Sequence, residues 1–253
     1  MEIIVTGYPK SGNTWAARLI AECLDSPVVG FFNEPDNNEI AIEGLEREGT
    51  FKIYKSHSPP SEIFNINPTA CVIHIHRDPR ETLASALRFF APRKYFSRFP
   101  FNQHFPFSFL YSLVDGIFPA EQYHRSRLIR AFASGDRRVH PALGISWLEF
   151  YSDCLLHSTS THMLSYEELL KEPSQALKPV IAAISSSSIK NIPSAISNQS
   201  FSVAKKRFLK EGSLEKANFL KSGKTSTWET ILTKNEIKKL KQATNYYLHY
   251  LLP

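Results

Sequence analysis

Cysteine is scarce in this chain. Cys23, Cys71 and Cys154 are the only three among 253 residues, and no two form a C-x-x-C pair. So odd and sparse a set argues against both a disulfide framework and a zinc site, and it points to a reducing compartment. No apolar run approaches the length of a membrane-spanning helix, so no membrane span is expected. The first residues lack the basic and apolar regions of a secretory leader, which makes the cytoplasm the expected location. Internal repeats are missing, and no linker marks a second domain. At this length a single α/β domain over 1–253 buries a sufficient core without cross-links. Acidic residues are the minority charge, 24 against 30 Lys and Arg, for a formal net charge of +6. The excess suggests an anionic ligand, an acidic substrate or a polyanion, without choosing among them. Ten of the cations lie between Arg80 and Arg138, against only Glu81, Asp115, Glu121 and Asp136.

The most informative absence is in the stretch V-T-G-Y-P-K-S-G-N-T-W, residues 5–15. It follows an apolar run and precedes a helical pattern, where a phosphate-binding loop usually sits. Gly7 and Gly12 have the spacing of G-x-x-x-x-G-K-[ST], and Thr14 fills the hydroxyl position. The lysine is missing: Asn13 stands there, and the loop's only lysine, Lys10, comes three residues earlier.

The surrounding pattern is that of an α/β protein. Apolar runs at 3–5, 51–55, 71–75 and 161–165 read as strands, and 14–24, 82–90, 145–157, 166–184 and 234–251 read as helices. Asp78 before Pro79 reads as the cap of the third-strand helix. Strands alternating with helices predict a P-loop-like parallel sheet with helices on both faces. Residues 91–141 are expected to form an insert or lid rich in aromatic and basic residues, a possible acceptor region. Residues 185–188 read as a loop, and the basic stretch 200–224 as poorly periodic.

Phosphoryl transfer from a mononucleotide needs a metal, usually held by the loop hydroxyl and by an aspartate ending a neighbouring strand. The strand at 71–75 ends instead in His76-Arg77, and Asp78 suits capping better than metal ligation. An arginine there suits a second phosphate bound without a metal, and no metal is expected.

These residues resemble those of the cytosolic-type sulfotransferases, which use 3′-phosphoadenosine 5′-phosphosulfate (PAPS) as co-substrate. That family's loop, Tyr-Pro-Lys-Ser-Gly-Thr-Thr-Trp, is matched by Tyr8-Pro9-Lys10-Ser11-Gly12-Asn13-Thr14-Trp15, with Asn13 the only change. Lys55-Ser56-His57 resembles the family's Lys-Thr-His after its second strand. Arg77 and Ser85 match its 3′-phosphate motif, Tyr166-Glu167 its Tyr-Glu-Asp segment near the adenine, and Ser200-Phe201 its Ser-Phe on the nucleotide. The segment ending the family's nucleotide site is matched by residues 221–229, beginning Lys221-Ser222-Gly223, in which Gly223 and Trp228 are kept and lysine replaces arginine.

The resemblance implies a sulfotransferase acting on the hydroxyl or amine of a small-molecule, carbohydrate or lipid acceptor. It implies His57 as base, a role for which histidine is suited near neutrality. It further implies Lys10 stabilising the leaving phosphate and Lys55 holding sulfuryl oxygens. Pro9, Lys10, Ser11, Gly12, Asn13, Thr14, Trp15, Arg77, Ser85, Tyr166, Phe201, Lys221, Ser222 and Gly223 would bind the nucleotide. A monomer or homodimer without nucleic acid is expected. Two other readings of the residues stand beside it: a small-molecule kinase with an altered P-loop, and a non-catalytic binder of polyanions or RNA.

Overall fold

The computed structural model describes residues 1–33, 42–90, 120–219 and 228–244. The chain divides into two compact units, Met1–Arg77 with Phe150–Thr225, and Asp78–Glu149 with Ser226–Pro253.

The first unit is built on a five-stranded sheet: β1 (Glu2–Thr6), β2 (Val28–Phe31), β3 (Lys52–Ser56), β4 (Cys71–His76) and β5 (Thr161–Ser165). Every pairing is parallel, and the order is β2-β3-β1-β4-β5. Successive side chains of a strand face opposite ways, and both faces here are covered. Ile3, Val5, Ile53, Ile73, Ile75 and Leu164 bury one face against helix α1 (Asn13–Cys23) and against Leu177 and Ile181 of helix Pro173–Ile184. Ile4 and Val72 turn to the other face, with Ile63 of helix α2 (Pro60–Ile66). Burying an aliphatic side chain of this size contributes about 1.5–3 kcal/mol, so the alternation sets the register of the central strands.

Helix α1 buries more than its apolar residues Leu19, Ile20 and Cys23. Arg18, only 1% exposed, is buried with them. It is accommodated by Glu43, 2.9 Å away, and by the Phe208 ring, 4.7 Å from its guanidinium carbon.

In the second unit helix α3 (Pro79–Phe89) opens as expected, with the Asp78 carboxylate accepting from the backbone N–H of Arg80 at 2.7 Å. Arg125 of helix Ala120–Ser134 donates to both carboxylate oxygens of Glu236 at 2.8 Å. Glu236 closes the capping box of helix Lys234–Ala243 with Thr233.

Four expectations change. β2 was not foreseen. The single helix expected over 166–184 is two, Tyr166–Lys171 and Pro173–Ile184, because Pro173 disfavours helical backbone at Glu172, which lies at φ −135°, ψ 64°. Residues 186–191 form a 3-10 turn where a loop was expected. The basic stretch from 200 holds helices Phe201–Lys210 and Leu214–Phe219, in which Phe201, Ala204, Phe208 and Ala217 pack together. Most of the expected insert lies outside the described residues.

Candidate active site

β1, β3 and β4 lie side by side and run in one direction, so the segments that leave them emerge on a single edge. The connection from β3 to β4 crosses β1, and this carboxyl edge, where the order reverses, is where open α/β sheets bind ligands. The loop from Gly7, His57 and Arg77 all start here.

The loop is shaped by two left-handed residues, Lys10 at φ 78° and Gly12 at φ 103°. It closes on itself through the Ser11 N–H, which donates to the Tyr8 carbonyl at 3.0 Å. Holding a residue with a side chain in the left-handed region costs about 1 kcal/mol or more, and such strain gathers at ligand sites. The loop runs directly into α1, which carries no acidic residue in its first turn. Backbone N–H groups and the positive helix end together make an anion cradle. Glycine is required at both ends of it. A Cβ on Gly7 would lie 2.5 Å from the Ile75 carbonyl oxygen, and one on Gly12 would lie 2.5 Å from the Tyr166 ring.

Asn13, where a mononucleotide loop carries lysine, is buried. Its Nδ2 donates to the carbonyl of Gly7 at 2.6 Å and to that of Ser56 at 3.0 Å. This position therefore ties the loop to β3, and the loop's cation belongs to Lys10.

His57 follows directly. Its Nδ1 lies 3.0 Å from the Gly7 carbonyl oxygen and 3.1 Å from Asn13 Nδ2. Phe31 of β2 packs beside it, ring centroids 5.9 Å apart, and the Nζ of Lys55 lies 4.3 Å over the same Phe31 ring. Arg77 is nearly buried at the end of β4. Its Nη1 donates to the Lys10 carbonyl at 3.3 Å, and its guanidinium stacks 4.2 Å from the Tyr166 centroid.

An aromatic group stands beside the loop. Trp15 lies 5.8 Å from Tyr166 and 5.1 Å from Phe201, centroid to centroid, and its indole N–H donates to the Gln199 carbonyl at 3.1 Å. Pro9, Ser11 and Thr14 are buried within the loop and first helical turn. Ser85 is half-buried on α3 in the second unit, and Lys221, Ser222 and Gly223 lie outside the described residues. Sequence reasoning missed Phe31, in a strand too short to read, and the backbone carbonyls of Gly7 and Gln199, which leave no side-chain signal.

On the other side of β4, His74 and His76 stack near Tyr151, at 5.9 and 6.2 Å. Burial pushes His74 down to about 3, the neighbouring His76 adding to the effect, and pushes His76 down to about 4. Both are neutral near pH 7, a packing role. Among the described residues no group of His, Cys, Asp and Glu side chains is placed to hold a metal ion, and no helix is long and apolar enough to cross a membrane.

Residues 1–250 match the model of the sulfotransferase domain. No curated protein sequence matches the chain significantly. Among solved structures, mouse sulfotransferase SULT7A1 complexed with PAP superimposes with a TM-score of 0.65 at 17% identity, over 96% of this chain and 82% of that one. Two structures of retinol dehydratase with PAP, one holding androsterone and one retinol, each give a TM-score of 0.56. Identities are 15% and 14%; both matches cover 98% of this chain, and 80% and 81% of those chains.

Proposed function

The chain belongs to the sulfotransferase-domain family, and from that premise we propose that it moves a sulfuryl group from PAPS to the hydroxyl or amine of a small-molecule acceptor. The observation that carries the reading is the convergence of the left-handed loop, His57 and Arg77 on the carboxyl edge of three adjacent strands. The cradle suits the 5′-phosphosulfate end of the nucleotide. Two glycines whose Cβ positions are filled by neighbours, an acid-free helix start, and Lys10 beside Arg77 all favour a compact anion. The product nucleotide PAP in SULT7A1 and retinol dehydratase supports the same donor, and androsterone and retinol in the latter support a small-molecule acceptor.

When bound, the nucleotide supplies a sulfuryl group activated by its 5′-phosphate leaving group. His57 takes the proton of the attacking acceptor at Nε2, so that the nucleophile reaches sulfur with its full electron pair. Lys10 would neutralise the negative charge that the 5′-phosphate takes up as the sulfur–oxygen bond to it breaks. A cation inside the loop would serve that leaving group, whereas one at the helix start would suit terminal phosphates the donor lacks. Stabilising charge where it develops is usually the largest catalytic contribution. Lys55 and the loop amides hold the sulfuryl oxygens. Trp15, Tyr166 and Phe201 hold the adenine, and Arg77 the 3′-phosphate.

Calorimetry tests the donor. PAP should bind at least about tenfold more tightly than ATP with magnesium, because charged hydrogen bonds to the extra phosphate are strong. A preference for ATP and magnesium would assign the chain to small-molecule phosphorylation instead.

A further inference from the structure

We infer that Asn13 is a positioning residue for His57: it clamps the Gly7 carbonyl against the end of β3, and that carbonyl accepts the Nδ1–H of His57 so that Nε2 is the basic nitrogen. The inference rests on the reading of His57 as the base.

Hydrogen-bond accounting carries it. A carboxamide nitrogen has two hydrogens. Three acceptors lie within reach of Asn13 Nδ2: the Gly7 carbonyl at 2.6 Å, the Ser56 carbonyl at 3.0 Å and His57 Nδ1 at 3.1 Å. Giving both hydrogens to the carbonyls leaves Nδ1 to act as a donor, and the Gly7 oxygen, 3.0 Å away, has a second lone pair for it. Three bonds then form. With the proton on Nε2 instead, Asn13 must abandon one carbonyl to reach Nδ1, and the Nδ1 lone pair faces the Gly7 oxygen. Among these four atoms only two bonds form, and one contact is repulsive.

Nor can the amide turn over. Its oxygen would then stand 2.6 and 3.0 Å from two carbonyl oxygens. In the orientation observed, the Asn13 oxygen is buried and has no hydrogen-bond partner among the described residues. An unpaired buried oxygen is costly. The structure thus holds both N–H groups on their carbonyls at the expense of the oxygen. A threonine, which the resembling family carries here, has a single hydroxyl donor and cannot hold both.

The arrangement also serves the proton transfer. Once Nε2 has taken the acceptor's proton, the imidazolium keeps its Nδ1–H on the Gly7 carbonyl, a charge-assisted bond stronger than the neutral one. The ring needs no rotation between the two states.

Nitrogen NMR of histidine-labelled full-length protein reads the tautomer without any turnover. His57 should carry its proton on Nδ1 at a pH where the ring is neutral; an Nε2–H tautomer overturns the proposal even if no variant folds. Asn13→Ala should lower kcat by about tenfold, the worth of one to two lost hydrogen bonds. In a His57→Ala background the same substitution should lower kcat no further, because it acts through the ring. Equal losses in both backgrounds would make Asn13 a mere loop brace and overturn the inference. Full turnover by His57→Ala alone would instead remove the base reading, while the tautomer result stood apart from it.

Discussion

The guanidinium carbon of Arg77 lies 4.2 Å from the Tyr166 ring centroid, while its Nη1 donates to the carbonyl of Lys10, one of the two left-handed residues of the loop. The end of β4, the anion loop and the aromatic group beside Trp15 are therefore joined through one side chain. Arg77→Ala should weaken PAP binding by about 2 kcal/mol or more, since arginine–phosphate bonds are among the strong ones. Binding of adenosine 5′-phosphate, which lacks the 3′-phosphate, should change far less. If calorimetry gave equal losses for both nucleotides, Arg77 would be a support for the Lys10 turn and nothing more.

His57 and Lys10 should fail in different ways. Replacing His57 with alanine is expected to lower turnover roughly 100-fold or more with PAP binding nearly intact, the usual scale for a positioned base. Lys10→Ala should also lower turnover, but least for acceptors that are already good nucleophiles, because its work is on the leaving group. Single-turnover rates across alcohols and phenols of graded acidity would show the contrast. Parallel losses across that series for both variants would refute the division of roles.

Much of this was legible because the chemistry sits in contiguous motifs at strand ends. The run 3–5 followed by Gly7, the run 51–55 stopped by His57 and the run 71–75 stopped by Arg77 each declare a strand and its exit together, and those exits are the site. β2 escaped notice because V-V-G-F is four residues long with a glycine and a register shift inside it, so it shows no alternation. With it went Phe31, the ring between Lys55 and His57. The clamp formed by Asn13 was equally hidden, since it bonds to a carbonyl 43 positions away and carbonyls have no letter in the sequence. The helix over 201–210 was hidden by composition: its apolar Phe201, Ala204 and Phe208 keep helical spacing, but four basic residues dominate the stretch.

Gly12 and Gly212 offer an internally controlled comparison. Both have positive φ, 103° and 73°, but an added Cβ at Gly212 meets nothing within 4 Å, whereas at Gly12 it meets the Tyr166 ring at 2.5 Å. Gly212→Ala should destabilise the fold by about 1–2 kcal/mol, the left-handed penalty alone. Gly12→Ala adds the clash, so it should lose more stability in urea titrations and should also weaken PAP binding by displacing the loop. Equal stability losses, with nucleotide affinity intact, would mean that Tyr166 yields freely and does not brace the cradle.

The two buried histidines of β4 should make the fold sensitive to mild acid. His74 and His76 lie 6.0 Å apart, and burial depresses both, to about 3 and about 4, from an ordinary value of 6.5. Below 6.5 an unfolded chain binds these protons while the folded chain does not, so unfolding takes up protons and stability falls as pH falls. The contribution is complete above the unfolded value and is lost progressively as pH drops toward 4 and then 3. From about pH 7 to pH 5 the loss should be about 2 kcal/mol for each ring. Carboxylates act in a lower window: Glu149, held below its ordinary 4.5 by the backbone N–H of Ser146, keeps its contribution until pH falls below that value. Urea titrations at pH 7, 6 and 5 separate the two windows. His76→Asn, which cannot titrate, should flatten the upper part of the profile by about half, even if it lowers stability at every pH. A wild-type profile already flat between pH 7 and 5 would show that these rings can be protonated in place, and that the face of β4 they occupy admits water.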